Sequence, residues 1–119
     1  MTKPLAMIIE DDVHLSEIYS LTLQEDFEVE TVTDGAAALV RLHQVVPALI
    51  VLDLNLPAVP GAEILRQIRA DTRLQHAGVI IASADSNQSA LLSDEADIVI
   101  LKPVSPAQLR ELASRLRPA

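Results

Sequence analysis

Acidic side chains stand directly behind two of the most apolar runs in the chain: Leu5–Ile9 leads into Glu10, Asp11 and Asp12, and Leu49–Leu52 leads into Asp53. If those runs lie side by side, at least three carboxylates converge, and their mutual repulsion raises a pKa or destabilises the arrangement. A hard divalent cation relieves that repulsion. With no cysteine in the chain and oxygen donors at these positions, Mg²⁺ or Mn²⁺ suits them better than zinc, and Mg²⁺ commonly takes one or two carboxylates beside water and a phosphoryl group. Acidic residues after strands also cap helices, and Asp12 fits that role for a helix beginning near Val13. Two further runs end in polar residues: Val79–Ala82 in Ser83-Ala84-Asp85, and Ile98–Leu101 in Lys102-Pro103. Ser83 alone reads as a turn residue. Lysine occurs only at positions 3 and 102. Placed after four apolar residues, Lys102 is a compact point charge able to neutralise the carboxylates and meet a phosphoryl oxygen.

These residues need a scaffold that gathers strand ends. The four apolar runs are short and rich in Val, Ile, Leu and Met, as strands buried on both faces are. A fifth, Phe27–Val32, alternates Phe27, Val29 and Thr31 with Glu28, Glu30 and Val32, the pattern of a half-exposed edge. Segments of helical period lie between. Asp34 caps a helix predicted to share Ala36, Leu39, Val40 and His43 on one face, and Ile64, Leu65 and Ile68 form a stripe after Gly61. The last helix has Ser105 as N-cap, Pro106 at N1 and Gln108 in a capping box, followed by Leu109, Leu112, Ala113 and Leu116, and ends near Pro118. Strand and helix alternate five times, which calls for a mainly parallel sheet with helices on both faces. Such sheets bind ligands at the carboxyl ends of their strands, where the strand order reverses.

Composition narrows the function. The chain has 119 residues, suited to a single domain over 1–119, and nine basic against seventeen acidic side chains leave a net charge of −8. No basic field exists to hold a phosphate backbone or an anionic membrane, so direct nucleic-acid and membrane binding are not expected. The longest stretches without charge, Leu42–Leu52 and Leu74–Ala84, have eleven residues each, against the ~18 of a membrane span. Lack of cysteine fits a reducing cytoplasm. The glycines at 35, 61 and 78 begin no phosphate-cradling loop, which excludes dinucleotide and P-loop sites.

The stretch Asp53-Leu-Asn-Leu-Pro57-Ala-Val-Pro-Gly61, taken with Glu10-Asp11, Ser83-Ala84 and Lys102-Pro103, resembles the receiver domain of bacterial two-component response regulators. The resemblance runs from Leu5 to Leu116. It implies a flavodoxin-like five-stranded parallel sheet in the order 2-1-3-4-5, with strands one and three adjacent. It further implies that Asp53 accepts a phosphoryl group from a sensor histidine kinase or phosphotransfer protein. Asp11 would bind Mg²⁺ directly and Glu10 through water, with Asp53 and the backbone carbonyl of Asn55 completing the protein ligands. Ser83 would be the switch hydroxyl and Lys102 the phosphoryl-binding lysine, with Lys102–Pro103 in cis. Asn55 and Asp85, each two positions beyond a reacting residue, would tune the lifetime of the acyl phosphate.

Two departures bear on output. The family carries an aromatic three positions before the lysine, where this chain has Val99, which has no ring to turn inward with Ser83. The stretch from Ser83 to Lys102 is also short by about one helical turn, and Ser86–Ser93 makes a poor helix. A pseudo-receiver that binds partners without phosphorylation is therefore an alternative. A phosphohydrolase of the haloacid-dehalogenase type is another, but it needs an acid two residues after the nucleophile, where Asn55 stands. Arg110, Arg115 and Arg117 give the last helix a basic side, either a docking feature or solvated surface.

Overall fold

Four of the five strands end where an apolar run meets a polar residue. The computed structural model describes residues 3–85, 87 and 94–118, and the Ser86–Ser93 helix expected from sequence lies largely outside them. In chain order the elements are β1 (Leu5–Ile9), α1 (Val13–Leu23), β2 (Glu28–Val32), α2 (Gly35–Leu42), β3 (Leu49–Asp53), α3 (Gly61–Ala70), a 3-10 turn (Thr72–Leu74), β4 (Gly78–Ser83), β5 (Ile98–Leu101) and α4 (Pro106–Leu116). The strands form one parallel sheet in the order β2-β1-β3-β4-β5.

Alternation along each strand divides the core into two layers. Met7, Ile9, Ile50, Leu52, Val79 and Ile81 face α2 and α3, packing on Ala38, Leu42, Ile64, Leu65 and Ile68. Ala6, Ile8, Leu49, Val51, Ile80 and Ile100 face the other way, onto Tyr19 and Leu23 of α1 and Leu109 and Ala113 of α4. Burying each large aliphatic side chain contributes roughly 1.5–3 kcal/mol. Three helix starts are capped by side chains as their sequences require. Asp12 accepts the His14 and Leu15 amides, Asp34 accepts Ala37, and Ser105 accepts Gln108.

Three expectations need correction. The inward face of α2 is Gly35, Ala38 and Leu42, with Val40 61% exposed and Ala36 and His43 in solvent. Both registers offer small or apolar residues at helical spacing, and close packing of Gly35 on the loop after β3 selects one of them. Strand β5 is not buried on both faces: it is a sheet edge, and Leu101 is exposed. The arginines of α4 do not form a free basic side. Arg110 pairs with Glu25 and Asp26, Arg117 with Asp26 and Arg115 with Glu111.

Candidate functional site

Register brings the polar strand ends together. Ile9 lies opposite Leu52, so Glu10 and Asp53 follow at one level on adjacent strands. On the other side Ser83 lies opposite Leu101, and the Lys102 amide donates to the Ser83 carbonyl at 2.8 Å. Carboxylate oxygens of Glu10, Asp11 and Asp53 all lie within 4.8 Å of one another. Glu10 and Asp53 are 1% and 4% exposed, Ser83 is fully buried, and Asp11 is open to solvent. Asp12 points away to cap α1.

Lys102 crosses the sheet edge to this cluster. Its Nζ donates to Glu10 Oε1 at 2.8 Å and stands 3.5 Å from Asp53 Oδ1. Burial pushes the Glu10 carboxyl up to about 7; the hydrogen bond from Lys102 works against that, and Asp53 adds to it. Burial alone would lower Lys102, but the hydrogen bond to Glu10 and the charges of Glu10 and Asp53 prevail and hold it above its usual value. The Lys102–Pro103 bond is cis.

The remaining predicted residues form the rim. Asn55 is exposed, and its amide donates to Asp53 Oδ1 at 3.3 Å. Ser83 Oγ accepts the Asp85 amide at 3.0 Å, and Asp85 Oδ1 accepts the Asn87 amide at 2.9 Å. Val99 is opposite Ile81 in the sheet and packs, partly buried, against the α2–α3 side of the core.

The donor set fits a divalent cation. Three carboxyl groups beside one ammonium supply hard oxygen donors, and one of the three, Asp11, faces solvent, where an ion could enter. Sequence reasoning missed one buried polar side chain. Tyr19, the chain's one tyrosine, is buried in the core layer under α1 and α4, and its hydroxyl has no hydrogen-bond partner among the described residues. Burial raises its pKa, Lys102 opposes this, and Glu10 and Asp53 reinforce it. The i, i+3, i+7 spacing of Ser16, Tyr19 and Leu23, the buried residues of α1, is the pattern that would have placed it.

Known proteins resemble this chain over most of its length. The sequence model of the family described as response regulator receiver domain matches residues 6–114. The DNA-binding response regulator MtrA of Mycolicibacterium paratuberculosis is 33% identical over 113 residues, 93% of this chain and 48% of MtrA. The phosphate regulon transcriptional regulatory protein PhoB of Rhizobium meliloti is 33% identical over 110 residues, 89% of this chain and 48% of PhoB. This chain thus spans about half the length of these curated relatives. Among solved structures, the chemotaxis response regulator CheY4 of Vibrio cholerae superposes with a TM-score of 0.88 at 23% identity, covering 97% of this chain and 99% of that one, a likeness of fold. Among the described residues no helix is long and apolar enough to cross a membrane.

Proposed function

We propose, because this chain belongs to the response regulator receiver domain family, that it is a phosphorylation-dependent signalling switch in which Asp53 accepts a phosphoryl group. Family membership makes it a signalling module rather than a metabolic enzyme. The observation that carries the residue-level reading is Lys102 Nζ held between two nearly buried carboxylates, 2.8 Å from Glu10 and 3.5 Å from Asp53, beside the solvent-facing Asp11.

In this reading the donor is the phosphohistidine of a sensor kinase or phosphotransfer protein. An Asp53 carboxylate oxygen attacks phosphorus in line, forming a P–O bond while the P–N bond breaks and the imidazole leaves with its electron pair. Glu10, Asp11, Asp53 and the Asn55 carbonyl would hold Mg²⁺ or Mn²⁺, with Glu10 acting through water. That ion, when bound, supplies charge neutralisation at the phosphoryl oxygens. Lys102 gives up part of its contact with Glu10 to meet a phosphoryl oxygen, a compact charge in a poorly solvated site. The Ser83 hydroxyl exchanges its contact with the Asp85 backbone for the new dianion. Asn55 and Asp85 flank the approach of water and set how long the acyl phosphate lasts. Output then passes to a downstream partner without direct nucleic-acid binding by this domain, since the chain carries −8. A cytoplasmic location belongs to the same reading.

Incubation with acetyl phosphate and Mg²⁺, followed by intact-mass analysis, tests the assignment. The unaltered chain should gain the mass of one phosphoryl group and Asp53→Asn should gain none. Labelling that persists in Asp53→Asn would refute Asp53 as the acceptor, and an unmodified parent would favour the pseudo-receiver.

A further inference from the structure

We propose that Gly35, the first residue of α2, is a positioning residue for the cation and phosphoryl site, acting through the loop that follows Asp53. The inference rests on the function proposed above and adds a residue from outside the strand ends.

The loop between β3 and α3 holds a conformation that its own sequence does not favour. Ala58 sits at φ 69°, in the left-handed region that costs a residue with a Cβ roughly 1–2 kcal/mol. Such a turn persists only where its surroundings hold it. Two bonds lie within the loop: the Val59 amide donates to the Pro57 carbonyl at 2.9 Å, and the Gly61 amide to the Leu54 carbonyl at 3.0 Å. A third comes from outside, where the Gly35 amide donates to the same Pro57 carbonyl at 3.2 Å.

Gly35 also presses its bare Cα face onto the loop. A Cβ there would land on the Val59 carbonyl oxygen and stand 2.9 Å from Val59 Cβ. Backbone atoms are involved, so no rotamer change relieves the overlap. Helix α2 cannot retreat easily, because Ala38 and Leu42 are buried and Asp34 caps its first turn. The loop must move instead. Its near end carries Asn55, whose amide holds Asp53 Oδ1 at 3.3 Å and whose carbonyl is a proposed cation ligand. A displacement starting at Val59 and Pro57 therefore reaches both the phosphoryl acceptor and a ligand within a few residues. Coupling of this kind is reciprocal: if Gly35 holds the ligand loop, cation binding must in turn hold Gly35.

Two measurements test the proposal. Mg²⁺ affinity, read by calorimetric titration, should fall by at least about fivefold in Gly35→Ala. It should remain at the parental value in Gly78→Ala, where the new Cβ meets only the Leu116 side chain at 3.0 Å. The second substitution disturbs packing far from the site, so a loss shared by both variants would reflect general destabilisation and overturn the proposal. Amide exchange by NMR in the unaltered chain, with and without Mg²⁺, decides even if Gly35→Ala does not fold. Protection of the Gly35 amide should rise more than that of the Gly78 amide, which donates to Ala48 at 2.9 Å. Equal rises, or a folded Gly35→Ala of parental affinity, would overturn the coupling alone. A parent chain that binds no Mg²⁺ would overturn the cation site and this coupling together.

Discussion

Lys102 and Arg110 each reach two carboxylates at nearly the same distances, 2.8 and 3.5 Å for Lys102 and 2.6 and 3.5 Å for Arg110. Burial is what most separates the two clusters. Glu10 and Asp53 are almost wholly enclosed, whereas the Arg110 and Glu25 side chains are 52% and 66% exposed on the seam between α1 and α4. In the enclosed cluster desolvation rivals the ionic attraction, and the Glu10 carboxyl rises to about 7 in spite of its ammonium partner. On the seam water screens the charges, and the pairs act as weak surface contacts. Distance alone therefore does not rank these interactions; the surrounding medium does, and it makes the strand-end cluster responsive to an added charge.

The largest expected effect comes from removing the enclosed cation. Lys102→Met leaves two buried carboxylates uncompensated and should cost roughly 3 kcal/mol in urea unfolding at pH 8 without divalent ions. The loss should shrink toward pH 5, as Glu10 takes up a proton. A cost below that of an exposed pair would abolish the contrast between the clusters.

The next effect is on pH dependence. Glu10 titrates at about 7 when folded against an ordinary 4.5, so the folded state binds more protons in that interval. Its contribution to stability is fully present below 4.5 and is lost as pH rises through 7, by an amount on the order of 3 kcal/mol. Thermal unfolding between pH 4.5 and 8 without divalent ions should show this slope, and Glu10→Gln should flatten it. An unchanged slope in Glu10→Gln would mean that another group carries it.

The smallest effect belongs to the seam. Arg110→Ala should cost about 0.2–1 kcal/mol, reduced further by added salt. A loss comparable with that of Lys102→Met would show that the α1–α4 ion pairs act as an enclosed network.

Much of this was legible residue by residue. Asp12, Asp34 and Ser105 declare helix starts because a cap is a contact with an amide two or three positions away. The strands and polar ends of β1 and β3 follow from apolar runs that stop at Glu10 and Asp53. The face of α2 was not legible, since Ala36, Val40, Ala38 and Leu42 supply two competing stripes and only the contact of Gly35 with Val59 chooses between them. The arginines of α4 read as a basic side because Glu25 and Asp26, which neutralise Arg110 and Arg117, come from the turn between α1 and β2, remote in sequence.

By itself the sequence determined which residues stand at the strand ends and what chemistry they offer: carboxylates at the ends of β1 and β3, a hydroxyl at the end of β4 and an ammonium just past β5. Those are properties of side-chain type and local period, carried over distances of a few residues. Tertiary structure alone decided that Lys102 binds Glu10 more closely than Asp53, that the Tyr19 hydroxyl is buried without a partner among the described residues and that Gly35 presses on the loop that follows the acceptor. These are distances between remote segments, set by sheet register and by close packing of two core layers, where one added carbon is enough to displace a neighbour.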